Sequence, residues 1–213
     1  MGLHHFLIAG AAVLAVVYLA AFTARDASRE KSAIKSGSVA ALALAALVLD
    51  SPAAIVAGLA LGAVGDFFLS RRGESAFLAG MAAFALGHLA YAGAFVQSGG
   101  WPAVVPALAL ILLAASTEWW LAPHAGGLRW PVRGYVLVIT LMGLAALALP
   151  ERYLAARIGA GLFILSDLML AFQIFVVKRI GAQRILGHLL WISYWGAQAL
   201  ILLGSVRGFQ SIG

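Results

Sequence analysis

Residues 53–72 read AAIVAGLALGAVGDFFLSRR. An apolar run of this length is enough to cross a bilayer as a helix, which takes about 20 residues. Gly58 and Gly62 form a G-x-x-x-G pair, which allows a neighbouring helix to approach closely. Asp66 is the only charged residue before the closing pair of arginines. The segment therefore predicts a membrane span with a carboxylate inside it.

Similar apolar runs make up most of the chain. Of its 213 residues, 63% are hydrophobic and 10% are charged, whereas soluble domains have about 25% charged residues. We therefore predict an all-α fold, a polytopic membrane bundle that forms a single integral membrane domain over residues 1–213. About eight transmembrane helices are expected, at residues 3–23, 33–49, 53–70, 75–97, 101–121, 131–149, 153–177 and 182–204.

The basic residues predict the orientation in the membrane. The loops after the odd-numbered spans hold 11 of the 14 Lys and Arg residues, and the other side holds only Arg152, Arg157 and Arg207. Basic loops stay in the cytoplasm, so both termini are expected on the non-cytoplasmic side, in a bacterial inner membrane. This distribution explains the net charge of +6 without nucleic acid. The eleven are Arg25, Arg29, Lys31, Lys35, Arg71, Arg72, Arg129, Arg133, Lys178, Arg179 and Arg184.

Two short patterns recur at similar spacing along the chain. GDFFL at 65–69 resembles SDLML at 166–170, and GHL at 87–89 recurs at 187–189. One interpretation is two four-helix repeats with a site at their interface, as in many transporters. The other interpretation is chance similarity between spans rich in Gly and Leu.

The two aspartates within spans, Asp66 and Asp167, are the main candidates for chemistry. A carboxylate inside a bilayer costs about 2.5–3.5 kcal/mol on insertion scales, so it usually faces a polar cavity. The alternative for Asp66 is that its side chain reaches the membrane interface near Arg71 and Arg72 and has no role in a cavity. Asp167 lies too deep for that, and its alternative is a hydrogen bond to a neighbouring helix. We interpret the two as a paired acidic site.

Other polar side chains within spans are candidate partners of the aspartates. His88 and Tyr91 are three residues apart, and Tyr194 and Gln198 are four apart, so each pair shares a helix face. His88 is a third candidate catalytic residue, although packing and helix-to-helix hydrogen bonds would explain all four. Ser166 is a further candidate substrate contact, although serine in a span commonly bonds its own helix.

Three residues near the predicted cytoplasmic ends complete the candidate set. Glu118 and Tyr135 are either interfacial anchors or substrate contacts. Lys35 is either an orienting charge or a contact for a phosphate. The predicted orientation brings six candidates into the cytoplasmic half and favours one shared cavity, lined by Lys35, Asp66, His88, Glu118, Tyr135 and Asp167. The sequence has no metal-binding motif, nucleotide loop or serine-nucleophile elbow, so we predict neither a metal nor a cofactor.

Five motifs in order resemble those of the YhhN-like family, eight-span membrane proteins that include the lysoplasmalogenases. The resemblance extends from Lys35 to about Gly204. One departure is Lys35-Ser36, where the family often has Lys-Pro. The motifs are Gly65-Asp66-x-x-Leu69, Gly87-His88-x-x-Tyr91, Val132-x-x-Tyr135 followed by Met142, Phe163-x-x-Ser166-Asp167-x-x-Leu170-Ala171, and Tyr194-x-x-x-Gln198-x-x-Ile201.

The resemblance implies hydrolysis of the vinyl-ether bond of a lysoplasmalogen, giving a fatty aldehyde and glycerophospho-ethanolamine or glycerophospho-choline. This chemistry requires a carboxylic acid to protonate the vinyl ether and a carboxylate to stabilise the oxocarbenium ion and activate water. Burial raises the pKa of a carboxyl group, and a second carboxylate nearby keeps one of the two protonated. Glycoside hydrolysis uses related electrostatics.

These requirements assign roles to six of the candidate residues, and the others stay candidate substrate contacts, as are Tyr91, Tyr194 and Lys35: Glu118, Tyr135, Ser166 and Gln198. Asp66 and Asp167 are expected to be the acid/base pair, and His88, Tyr91 and Tyr194 to orient them or the water. Lys35 is expected to hold the headgroup phosphate. The expected partners are the lysophospholipid and membrane lipids, and the oligomeric state stays open.

Three other functions fit the sequence. A small-molecule or proton-coupled transporter fits paired carboxylates at the repeat interface. A hydrolase of another lysophospholipid or ether lipid fits the same residues. A structural or lipid-sensing protein requires the polar side chains to serve only as contacts between helices.

Overall fold

The computed structural model describes residues 2–177 and 179–210, with side chains up to Val206. Lys178 and the side chain of Arg207, two of the charges used to predict orientation, lie outside the described part. Eight α-helices occur within it: α1 Leu3–Val17, α2 Arg29–Val48, α3 Ala53–Leu69, α4 Glu74–Ser98, α5 Val104–Trp120, α6 Arg129–Leu147, α7 Leu154–Ala171 and α8 Ile180–Gln210. Wider π-helical turns extend α1 over Tyr18–Phe22 and α7 over Phe172–Val176.

The helix lengths and composition confirm the predicted membrane bundle. Seven helical segments of the described chain are long and apolar enough to cross a membrane. The remaining predicted span, residues 53–70, corresponds to α3, an apolar helix of 17 residues, which is about 26 Å long at 1.5 Å per residue. The chain is therefore an all-helical integral membrane protein.

Local sequence explains where helices begin and turn. The side chain of Ser28 accepts a hydrogen bond from the backbone N–H of Lys31, so α2 begins at Arg29, four residues before the predicted span. Asp50, with φ of 50°, makes the tight turn between α2 and α3. Gly73 precedes α4 with φ of 105°, a conformation that favours glycine.

Glycines allow the helices to pack closely in two places. A Cβ on Gly58 of α3 would lie within 2.6 Å of three ring atoms of Tyr91 on α4. One on Gly204 of α8 would lie 2.3 Å from the backbone nitrogen of Ala156 on α7. These contacts hold α3 against α4 and α7 against α8. The close approach predicted for the Gly58 face is thus present.

The recurring GHL pattern does not have the same environment in the two halves. His88 is fully buried, whereas His188 is partly exposed and its Nδ1 lies 2.7 Å from the carbonyl oxygen of Arg184 on its own helix. The two-repeat architecture stays a prediction.

Candidate active site

Asp66 lies at the centre of a buried polar network, here called the Asp66 cluster, whose members are Lys35, Asp66, Tyr91, Tyr194 and Gln198. Lys35 Nζ lies 2.9 Å from Asp66 Oδ1, and the Tyr194 hydroxyl donates to Asp66 Oδ2 at 2.7 Å. Gln198 donates to the Tyr194 oxygen at 3.2 Å and accepts from the Tyr91 hydroxyl at 2.5 Å. The network joins α2, α3, α4 and α8.

The charges of this cluster are compensated within it. The side chains of Lys35 and Asp66 are 13% and 1% exposed, so the ion pair is largely sealed from its surroundings. The Lys35 ammonium group also lies 5.9 Å from the centre of the Trp191 ring, within the range of a cation–π contact. Since breaking a buried pair leaves an uncompensated charge, the arrangement favours a stable ion pair over a freely reacting group.

Asp167 belongs to a second network, here called the Asp167 cluster, with His88 and Tyr135. The Tyr135 hydroxyl donates to Asp167 Oδ2 at 2.7 Å. His88 Nε2 lies 3.2 Å from the same oxygen and 3.0 Å from the Tyr135 oxygen. Asp167 Oδ1 makes no hydrogen bond within residues 2–177 and 179–206. One carboxyl oxygen is thus held, and the other is open to a further partner.

The hydrogen-bond network also assigns the histidine tautomer. Because Tyr135 gives its proton to Asp167, a proton on His88 Nε2 satisfies both of that nitrogen's contacts. The Nδ1 atom is buried and has no hydrogen-bond partner in the described part of the chain. Phe163 packs against the same ring, with centroids 4.5 Å apart. The imidazole therefore directs one N–H at the carboxylate.

An aromatic side chain lies between the two clusters. The ring of Phe163 is 4.5 Å from that of His88 and 5.3 Å from that of Tyr194, centre to centre. The aspartates have different hydrogen-bond partners, and among the described residues no hydrogen bond joins them. Their action as one acid/base pair stays a prediction.

Asp167, but not Asp66, borders a cavity lined mainly by α4, α5, α6 and α7, with Leu69 at the end of α3. Its wall includes Asp167 and Tyr135, the hydroxyl-bearing Thr117 and Thr140, and otherwise apolar side chains. The Asp167 side chain is 16% exposed. The single cavity predicted for six residues is therefore corrected. Asp167 and Tyr135 line it, His88 bonds to them, and Lys35 and Asp66 lie in the other cluster.

Two predicted substrate contacts have partners of their own. Glu118 accepts two hydrogen bonds from Arg133, at 2.9 and 2.5 Å, in a pair that is 43% exposed on the glutamate side, and Glu118 is absent from the cavity wall. The hydroxyl of Ser166 donates to the carbonyl oxygen of Phe163 on its own helix at 2.8 Å. The Ser166 bond is the structural alternative that the sequence left open, whereas the ion pair of Glu118 was not predicted. A role of either residue in substrate binding stays a prediction.

The two clusters use corresponding helices of the two halves. Asp66 lies on α3, and its partners Lys35 and Tyr194 lie on α2 and α8. Asp167 lies on α7, and its partners Tyr135 and His88 lie on α6 and α4. Each aspartate thus has one partner from the preceding helix of its own half and one from the final helix of the other half.

Sequence reasoning missed the separating ring of Phe163 and the apolar wall of the cavity. Phe163 was seen only as part of a motif, and nothing in its sequence context signals its position between two polar clusters. Within the described residues, no group of three or more His, Cys, Asp or Glu side chains comes together as a metal site. The prediction of neither metal nor cofactor stays untested.

The fold and these clusters define a helical membrane protein with two intramembrane carboxylate sites. The profile of the YhhN family matches residues 9–205, so the chain belongs to the YhhN family, as its motifs predicted. No solved structure matches it at a significant level.

Relatives with assigned names agree with this family. The chain is 33% identical to lysoplasmalogenase TMEM86A of Bos taurus over 78% of its own length and 71% of that protein. It is 31% identical to the Homo sapiens protein of the same name, over 78% and 70%. It is 30% identical to a lysoplasmalogenase of Mycobacterium bovis, over 72% of this chain and 60% of that one. These names confirm the expectation of an enzyme family of the lysoplasmalogenase type.

Proposed function

We propose that this protein hydrolyses the vinyl-ether bond of lysoplasmalogens at the Asp167 cluster. The observation that carries the proposal is the Asp167 carboxyl group in the wall of an apolar cavity. Its Oδ2 atom accepts hydrogen bonds from Tyr135 and His88, and its Oδ1 atom has no hydrogen-bond partner among the described residues. The names of the relatives supply the substrate class, and the cavity supplies an apolar environment for the lipid's single chain.

In the first step, protonated Asp167 transfers its proton from Oδ1 to the β-carbon of the vinyl ether. The carbon–carbon π electrons form the new C–H bond, which leaves an oxocarbenium ion and the Asp167 carboxylate. Hydrogen bonds from Tyr135 and His88 to Oδ2 stabilise the negative charge as it develops. The carboxylate in turn lies beside the cationic centre and stabilises it.

In the second step, water adds to the oxocarbenium carbon and gives its proton to the Asp167 carboxylate. The resulting hemiacetal collapses to a fatty aldehyde and the glycerophospho-headgroup alcohol, and the enzyme returns to its starting protonation state. A single carboxyl group thus acts first as acid and then as base. The overall reaction consumes one water molecule and needs no oxidant or reductant.

Asp66 has a different role in this proposal. Its charge is compensated by Lys35, and it is absent from the cavity wall. We therefore assign the Asp66 cluster to positioning: it fixes α8 against α2 and α3, and Tyr194 supports the ring of Phe163 beneath His88. The alternative from the sequence, direct participation of both aspartates with Lys35 at the phosphate, predicts a different outcome for the variants below.

The proposed location is the bacterial inner membrane, with both termini on the non-cytoplasmic side. The basic loops support this orientation. It places the end of the cavity lined by Leu121, Val132 and Phe175 toward the cytoplasmic face, so the substrate would enter from that leaflet.

The test is aldehyde release by purified protein given alkenyl-lysophosphatidylethanolamine, with acyl-lysophosphatidylethanolamine in parallel. Asp167→Asn should abolish release, and Asp26→Asn, a matched change in an exposed loop, should leave it unchanged. Release by wild type that persists in Asp167→Asn would overturn the assigned site. Cleavage of only the acyl lipid would mean that the substrate is an acyl lysophospholipid and not a lysoplasmalogen. Inactivity on both lipids would favour the alternative that the protein is a transporter.

Asp66→Asn separates the two roles of the second aspartate. A positioning role predicts reduced thermal stability with residual turnover, and turnover should recover in part when the charge of Lys35 is also removed by Lys35→Met. Direct chemistry predicts complete loss in Asp66→Asn and in the double variant alike.

A further inference from the structure

The end of the cavity farthest from Leu121, Val132 and Phe175, here called its inner end, is lined by two apolar side chains packed over a glycine. Leu110 and Ile164 are the innermost wall residues on α5 and α7, and Thr140 is the innermost on α6. Gly143 lies one helical turn beyond Thr140. A Cβ at Gly143 would lie 2.6 Å from Leu110 Cδ2 and 2.8 Å from Ile164 Cδ1, so the two side chains fill the space that any larger residue would need.

The wall between Asp167 and this inner end offers nothing to a polar ligand. Its two hydroxyl groups are satisfied by their own helices: Thr117 donates to the carbonyl oxygen of Ala114 and Thr140 to that of Val136, both at 2.7 Å. What remains is methyl, methylene and aromatic surface. A hydrocarbon chain is the ligand chemistry that fits such a wall, because a polar group buried there would lose its hydrogen bonds.

The short distance from Asp167 to the inner end puts that end within reach of the substrate's hydrocarbon chain. Asp167 and Ile164 are three residues apart on α7, which corresponds to about 4.5 Å along the helix. A fully extended polypeptide advances about 3.6 Å per three bonds and a hydrocarbon chain advances by a similar amount, so roughly four carbon atoms cover this distance. Every long hydrocarbon chain that runs inward from Asp167 therefore meets Leu110 and Ile164.

We propose that Leu110 and Ile164, packed over Gly143, form a stop that sets which hydrocarbon chain lengths bind productively. This inference rests on the proposed function, because it takes the ligand to be the chain of a lysolipid whose ether bond lies at Asp167. Carbon atoms beyond the stop have to bend or leave between helices. The free volume at the stop thus determines how much binding is lost as the hydrocarbon chain becomes longer.

Substitutions at Leu110 change the free volume at the stop in both directions. Leu110→Ala removes part of the stop, and Leu110→Phe enlarges it. Leu112→Ala is the matched control, because Leu112 lies on the same helix, is 69% exposed on its outer face, and is absent from the cavity wall. The substrates are short-, medium- and long-chain alkenyl-lysophosphatidylethanolamines. Saturated 1-O-alkyl analogues, which lack the vinyl ether, report binding without turnover.

The measured quantity is the ratio of kcat/KM for long to short chains, with the same ratio for displacement of a fluorescent fatty-chain probe by the saturated analogues. Since one methylene of fit changes discrimination by about tenfold or more, Leu110→Ala should raise both ratios about tenfold and Leu110→Phe should lower them. Leu112→Ala should match wild type.

The outcomes distinguish this inference from the proposed function. Aldehyde release with ratios that are the same in the Leu110 variants and in Leu112→Ala would overturn the stop and leave the proposed function standing. Shifted binding ratios without aldehyde release from any protein would support the stop and overturn the proposed function. Ratios that fall in Leu110→Ala and rise in Leu110→Phe would also overturn the stop.

Discussion

At the residue scale, the proposed chemistry depends on two donors that meet at one carboxyl oxygen. Tyr135→Phe keeps the ring and removes the donor that lies 2.7 Å from Asp167 Oδ2. Hydrogen bonds to charged groups contribute about 1.5–3 kcal/mol, so kcat should fall roughly 10- to 150-fold. The measurement is steady-state aldehyde release, with thermal unfolding as the check on folding. Unchanged kcat in a folded Tyr135→Phe variant would contradict the role of this hydroxyl.

The buried ion pair gives a second prediction at this scale. Lys35→Met and Asp66→Asn each leave one partner without its counter-charge, and removing one member of a buried pair typically costs about 3–5 kcal/mol. Each variant should therefore unfold at a clearly lower temperature than wild type in the same detergent. The double variant should lose less than the sum of the two losses. Additive losses would mean that the two side chains are not coupled.

At the element scale, the close contact between α7 and α8 predicts opposite effects of one substitution at two glycines. Alanine is favoured over glycine within a helix by about 1 kcal/mol, and Gly161 has nothing within 4 Å of its Cβ position. Gly161→Ala should thus preserve or raise the unfolding temperature. Gly204→Ala should lower it, because its Cβ meets the backbone of Ala156. Equal effects of the two substitutions would refute the close contact.

The helices could be predicted from sequence, and the pairing of their polar side chains could not. Apolar length and breakers predicted all eight helices, but Ser28 moved the start of α2 because a cap depends on one hydroxyl. His88 and Tyr91 were expected to share a face and a site. In the structure His88 contacts Asp167 and Tyr91 contacts Gln198, since helix packing decides which distant residues meet.

The apolar wall of the cavity was also beyond prediction from sequence, for a physical reason. A leucine that faces a cavity, such as Leu110, and a leucine that faces lipid, such as Leu112, have the same signature in an apolar span. The intramembrane aspartates were found because a carboxylate in an apolar span is costly wherever it points. Sequence therefore revealed the polar members of the site and left its apolar wall invisible.

At the scale of the whole molecule, the orientation in the membrane decides which leaflet supplies the cavity. The chain has no cysteine, so a single introduced cysteine reports its own side. Trp101→Cys lies in the loop between α4 and α5, at a position that is 97% exposed, and Ser75→Cys lies near the start of α4. A membrane-impermeant maleimide should label the first in intact cells and the second only after permeabilisation, because the loop before α4 belongs to the basic set.

The reverse labelling pattern would mean that the protein has the opposite orientation in the membrane. The end of the cavity lined by Leu121, Val132 and Phe175 would then face the outer leaflet, and the aldehyde would be released away from the cytoplasm. With the expected pattern, Asp167 lies on the cytoplasmic side of the inner end lined by Leu110 and Ile164. A lysolipid from the cytoplasmic leaflet can then place its ether bond at the carboxyl group while its headgroup lies toward the cytoplasmic end of the cavity and its chain runs toward Leu110 and Ile164.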